Sequence, residues 1–277
     1  MYDDASLDDY WAVLRPEPQR RTPEPMPSPV ISLETATEWA KTLGSPGHTP
    51  LMVVPGTPME RCLTFRAVAR IGGITHFECD PENDAWLEVG LDTTIAALVS
   101  CQDLDLEGTI RTMADTTHYL EHDVFRLLWE IRFLRRENSV QAEELFDIFR
   151  RWIRDAHLRE HEVQRLRALG VSKFRTSFRE KVEVLCFLRT LASQNEIQSS
   201  LVLAFNGLDQ AIQAENKDAL RQLVSLASEV RRWALITHCP IGILLGFSTT
   251  RSDTAKLRKL NQNLTAELEA GLAWSKS

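Results

Sequence analysis

Between positions 32 and 80 the apolar residues come in short runs divided by breakers. Ser32-Leu-Glu-Thr-Ala-Thr-Glu-Trp-Ala-Lys-Thr-Leu43 has helical spacing, with Ser32 placed to cap the helix and Gly44 to stop it. Thr49-Pro-Leu-Met-Val-Val54 is an apolar run closed by Pro55-Gly56, the pattern of a short buried strand. Cys62 to Arg70 is helical in pattern and stops at Gly72-Gly73, after which Ile74 to Cys79 alternates like a strand. From residue 91 to about residue 195 the spacing is helical and nearly free of breakers, as in Val124, Leu127, Ile131 and Leu134 or Val182, Leu185, Leu188 and Leu191. The strand pattern then returns in Ser200-Leu-Val-Leu-Ala-Phe-Asn206 and in Cys239-Pro-Ile-Gly-Ile-Leu-Leu-Gly-Phe247. A helix over Asp218–Trp233 separates these two runs, and another over Ala255–Trp274 follows.

Strands separated by helices imply crossover connections and a mainly parallel sheet. The expected fold is therefore α/β, a parallel-sheet core carrying a large all-helical insertion. Four segments follow: an acidic, proline-rich arm and linker over 1–30, a first part of the core over 31–90, the helical insertion over 91–195, and the rest of the core with a last helix over 196–277. The arm is distinct in kind. Leu7, Tyr10, Trp11 and Leu14 share one face of a short amphipathic segment, and Asp3, Asp4, Asp8 and Asp9 precede any basic residue. The prolines from Pro16 to Pro29 forbid helix and sheet ladders and favour an extended spacer. An acidic aromatic segment on such a tether is expected to dock in a groove of the same chain, of a neighbouring copy or of a protein partner.

Composition narrows the function classes. With 277 residues, 43% hydrophobic, and a formal charge of −7, the chain is an ordinary globular protein and not a general phosphate-backbone binder. Nucleic acid is expected only through a larger complex. In the helical block from 107 to 189, 14 Arg and 2 Lys face 14 Asp and Glu, so the surface there is charge-balanced. The five Cys are scattered and form no CxxC pair, which argues against a disulfide framework or a Cys-rich zinc module. No secretory signal and no membrane-spanning run is visible, so the expected location is cytoplasmic, with no membrane partner. Trp39, Trp86, Trp152 and Trp233 read as core or interface aromatics.

Two constellations carry candidate chemistry. In the first, an apolar strand, a glycine turn and a helix follow one another at Leu51-Met-Val-Val-Pro-Gly56-Thr-Pro-Met-Glu-Arg61-Cys62-Leu63-Thr64, the arrangement that cradles phosphates. Against the GxxxxGK-Ser/Thr loop, Gly56 matches the first glycine, Arg61 replaces the second, Cys62 replaces the lysine and Leu63 the metal-binding hydroxyl, with Thr64 next to it. Leu201-Val-Leu-Ala-Phe-Asn206-Gly207-Leu208-Asp209 resembles the Walker B strand of AAA+ and STAND-type P-loop ATPases. The run ending in Phe247-Ser248 resembles their next core strand with its polar sensor position at Ser248. The resemblance covers residues 32–80 and 180–250. It implies that the strands ending at Val54 and Phe205 lie close together, with that of Leu245 in the same parallel sheet. It also implies a nucleotide site at Gly56, Arg61, Thr64, Asn206, Asp209 and Ser248. That site is degenerate: without the lysine, the hydroxyl and the Mg²⁺-binding acid, phosphoryl transfer has lost its electrostatic parts. Asp209 remains as a vestigial water-orienting acid. Arg61 reads as a solvated surface side chain, with a phosphate contact as its alternative. The implied function is a pseudo-ATPase, a structural or regulatory subunit of a larger, oligomeric assembly, with no cofactor or only weakly bound nucleotide.

The second constellation is a pair of HxxEH segments, His118-Tyr-Leu-Glu-His122 and His157-Leu-Arg-Glu-His161, which together hold four of the seven His. Two His at i and i+4 on a helix can bind zinc with the Glu as general base. Placed about the turn at Glu137-Asn-Ser-Val140, the two pairs would meet across an antiparallel hairpin. A third ligand is missing and each pair lies opposite the stripe that best fits a core, so zinc or iron is not expected. A metal-dependent hydrolase, a metal-binding helical protein and a non-enzymatic interaction protein are the alternatives. Elemental analysis of untagged protein separates the metal reading from the degenerate ATPase.

Overall fold

The strands are short and their apolar runs decide where they lie. The computed structural model describes residues 33–45, 48, 50–72, 74–101, 119–174, 176–197, 200–247 and 251–266. The N-terminal arm, Ser32, His118 and Ser248 lie outside these residues, as does the end of the expected last helix. Helix α1 (Leu33–Thr42) is followed by strand β1 (Leu51–Val54), helix α2 (Pro58–Ala69) and strand β2 (Ile74–Cys79). Five helices come next: α3 (Ala85–Ser100), α4 (Tyr119–Glu137), α5 (Ser139–Ile153), α6 (Glu160–Ala168) and α7 (Phe178–Gln194). The chain then returns to the sheet through β3 (Ser200–Phe205), α8 (Leu208–Gln213), α9 (Lys217–Thr237), β4 (Ile241–Gly246) and α10 (Arg251–Leu260).

The four strands form one parallel sheet in the order β1-β4-β3-β2. Val54 pairs with Gly246 and Leu245 with Phe205, so β4 lies between the strands that lead into the two candidate loops. The ends of β1 and β3 are thus two strand spacings apart, roughly 10 Å. The fold is mixed α/β, a parallel four-stranded sheet with an all-helical region, as the alternation of patterns predicts.

Central strands of such a sheet are buried on both faces, which is why β3 and β4 read as continuous apolar runs. Alternate residues serve different layers. Met52, Val54, Val202, Ala204 and Leu244 pack with Trp39, Phe65 and Val68 of α1 and α2. Leu51, Val53, Leu203, Phe205, Ile243 and Leu245 belong to the larger core with α3, α7 and α9. Gly242 admits Trp39 to the sheet, since a Cβ there would lie 2.6 Å from the Trp39 ring. Helix α7 is buried from Val182 to Ala192 because it packs against α3, α4 and α9. Trp39, Trp86, Trp152 and Trp233 are all buried, as the core reading expects.

Several boundaries differ from the sequence pattern. Helix α2 begins at Pro58, ahead of Cys62, because Thr57 caps it and Pro58 supplies a helix-ready φ at its first position. The helical block starts at Ala85 and is broken at residues 154–159 and 169–174. The last helix is interrupted at Asn261, whose side-chain oxygen accepts from the backbone N–H of Leu264 at 3.0 Å and so starts a new turn.

Candidate functional site

The loop after β1 is a tight turn. Only Pro55, Gly56 and Thr57 separate Val54 from Pro58, and Gly56 makes the reversal with φ 110°, a region closed to most L side chains. Thr57 and Glu60 form a reciprocal cap. The Glu60 carboxylate accepts from the Thr57 N–H at 2.7 Å, and the Thr57 hydroxyl accepts from the Glu60 N–H at 3.4 Å. These bonds from Thr57 hold the Glu60 carboxyl below its ordinary value. A phosphate cradle needs free backbone N–H groups at a helix N-terminus. Here Pro55 and Pro58 carry none and a carboxylate of the chain itself already occupies the cap.

Arg61 lies one residue beyond this cap and points inward. It is only 2% exposed, and its Nη1 donates to Asp209 Oδ2 at 2.5 Å. Asp209 stands in the first turn of α8, immediately beyond β3 and Asn206-Gly207. Gly246, the last residue of β4, makes room for the pair: a Cβ there would lie 3.0 Å from Arg61 Cδ and 2.9 Å from Asn206 Oδ1. The ends of β1, β3 and β4 therefore converge on one ion pair, its arginine buried and its aspartate partly exposed. Arg61 Nε and Asn206 Oδ1 are buried and find no hydrogen-bond partner among the described residues. The surface reading of Arg61 is corrected by this geometry: parallel strand order brings its helix over Gly246, and Asp209 compensates the charge.

Thr64 is fully buried and its hydroxyl donates to the Glu60 carbonyl at 3.2 Å, one turn back in its own helix. Cys62 is half-buried and, with Asn206 and Gly207, lines a crevice of about 350 Å³ at the carboxyl ends of β2 and β3. That crevice also carries Glu78, Asp80 and Glu82, three carboxylates that would repel an incoming phosphate. Burial pushes the Cys79 thiol, on the same wall, far up from its ordinary value.

The hairpin expected around Asn138 is present, with α4 packed on α5. The metal geometry proposed for it is only partly open to description. His118 lies outside the described residues, and His122 is on α4 with its side chain outside the description. His157 precedes α6, whereas His161 lies in the first turn of α6, so this pair is not held at helical i, i+4 spacing; both side chains are exposed. Among the described residues no group of three or more His, Cys, Asp or Glu is arranged to hold a metal ion. Among them, too, no helix is long and apolar enough to cross a membrane.

The sequence pattern missed the meeting of Arg61 with Asp209 and the opening at Gly246. The Thr57-Pro-Met-Glu60 cap was legible, and it places Arg61 in the helix, not in a loop. Comparison with protein-family models, with curated proteins and with solved structures finds no match to this chain.

Proposed function

We propose that this chain is a degenerate P-loop-type ATPase of AAA+ or STAND-like character, acting without turnover as a structural or regulatory subunit of a larger assembly. The observation that carries the reading is the ion pair of buried Arg61 with Asp209 at the convergence of β1, β3 and β4. In an active site of this lineage that convergence holds phosphate and Mg²⁺; here a guanidinium and a carboxylate neutralise each other in their stead. Supporting features are the three strands of the resemblance in one parallel sheet and the self-capped helix after β1. The neutral Asn206, where a metal-binding acid is implied, supports it too.

A protein so built does not use ATP as fuel. Its contribution to an assembly is a rigid α/β body with surfaces for protein partners or further copies. The test is titration of the purified full chain with Mg²⁺-ATP by calorimetry, alongside a phosphate-release assay. The expected result is neither saturable binding nor turnover. Turnover that disappears in Asp209→Ala overturns the reading.

A further inference from the structure

Helix α4 has two apolar faces, and the core uses one. Val124, Leu127, Leu128 and Ile131 are fully buried against the helical region. Trp129 and Phe133 follow one turn apart along the other side, 50% and 49% exposed, and Phe125, a turn earlier, is partly buried and packs against the core. Phe125 and Trp129 lie 6.3 Å apart between ring centroids, so the stripe is continuous at its start. Exposed single apolar residues are ordinary, but consecutive turns of large aromatics on one outward face mark a docking surface. Arginines interleave with it. Arg126 and Arg136 are exposed on the same side, alongside Glu130 and Glu137, and Arg126 also donates to the Leu169 and Gly170 carbonyls. Arg132 and Arg135, bonded to carbonyls at the end of α3, border a hollow of about 630 Å³ there. Aromatic rings among guanidinium groups suit a partner that is itself aromatic and acidic.

The chain carries such a partner. Leu7, Tyr10, Trp11 and Leu14 stand at i, i+3, i+4 and i+7, the spacing of an amphipathic segment laid on a helix, and four Asp with no base before Arg15 supply the opposite charge. The spacer from Arg15 to Ser32, at ~3.1 Å per residue if polyproline-like, extends to roughly 55 Å. A folded chain of this size has a radius of gyration of about 18 Å, so the spacer spans more than the diameter of the globule. A tether of that length holds the segment at an effective concentration in the millimolar range, about the level a small aromatic contact needs.

We propose that the segment Leu7–Leu14 docks on the aromatic face of α4 in its own molecule, Trp11 and Tyr10 against Trp129 and Phe133 and its aspartates towards the exposed Arg126 and Arg136. The arm is then a tethered cover for the largest exposed aromatic surface among the described residues. This goes beyond the reading of the eroded nucleotide site and does not depend on it.

The test uses the full chain with a photoreactive benzophenone amino acid in place of Tyr10, irradiated as an equal mixture of light and ¹⁵N-labelled protein. The expected product joins position 10 to the peptide containing Trp129 and Phe133, with both ends carrying the same isotope. It is lost in the Trp129→Ser/Phe133→Ser variant and kept in Leu235→Ser/Ile236→Ser, a surface variant away from this face, with a cooperative melt confirming that each is folded. Mixed-isotope products overturn the intramolecular assignment and give the face to the arm of a second copy. Products elsewhere, such as at exposed Leu235 and Ile236, or products that persist in the Trp129→Ser/Phe133→Ser variant, overturn the docking site itself.

Discussion

Arg61 and Asp209 are 148 positions apart in the chain and meet at 2.5 Å, with the arginine 2% exposed. An isolated guanidinium could not be held at that depth, and the carboxylate makes its burial tolerable. Strand order makes the meeting possible. With β4 between β1 and β3, the helix after β1 crosses the last residue of β4 and reaches the turn after β3.

The tolerance at Gly246 is narrow. A methyl group there meets Asn206 Oδ1 at 2.9 Å and Arg61 Cδ at 3.0 Å, with the Asn206 Cα behind them at 3.3 Å, so both side chains would have to shift. Gly246→Ala should destabilise the protein by about 1–3 kcal/mol in denaturant titrations. Gly72→Ala, where nothing lies within 4 Å, should stay within about 0.5 kcal/mol of the parent. Equal effects at the two sites would mean that the ion pair is not packed against β4.

In the helical region, Glu162 binds Arg151 through both carboxylate oxygens, and the Arg159 N–H donates to it as well. Chiefly through the Arg151 contact, its carboxyl is pulled down from 4.5 to about 2. A depressed acid stabilises the folded state above its unfolded pKa, and that stabilisation disappears as the pH falls through the folded one. Glu162→Gln should therefore lower stability by about 2 kcal/mol near neutrality. The difference from the parent should shrink between pH 4.5 and pH 2. A difference that stays constant across that window would remove the Glu162–Arg151 pair from the account.

The five thiols divide by burial. Cys79, Cys186 and Cys239 are buried, whereas Cys62 and Cys101 are half-buried. Burial also pushes the Cys79 and Cys186 thiols up, away from the reactive thiolate. Iodoacetamide on the native chain should modify Cys62 and Cys101, with the other three reacting only after denaturation, as read by peptide mass. Ready labelling of Cys186 or Cys239 would contradict the packing of α7 against the end of α9.

What the sequence reveals here follows the range of the interactions. Continuous apolar runs such as Leu201–Phe205 and Ile241–Leu245 identify buried parallel strands, because period and burial are local signals. The turn at Gly56 and the cap at Thr57 and Glu60 are local as well. The depth of Arg61 is not, since the same residue in the first turn of any surface helix would be solvated. Only the crossing of α2 over Gly246 buries it, and one sequence carries no trace of a partner so distant in the chain. The second HxxEH segment fails for a related reason: its spacing fits a helix, but α6 starts only at Glu160, after an irregular stretch that begins at Arg154.

The central claim is that Arg61 and Asp209 act as a structural pair where β1, β3 and β4 end. It is tested most directly by a double-mutant cycle on folding stability with Arg61→Met, Asp209→Leu and both together. Asp209→Leu should cost about 3 kcal/mol or more, because it strands the buried Arg61 guanidinium, and Arg61→Met should cost less, because Asp209 is partly exposed, whereas the double change should cost far less than the sum. Single losses that add to within about 0.5 kcal/mol would show two uncoupled side chains and would contradict the account.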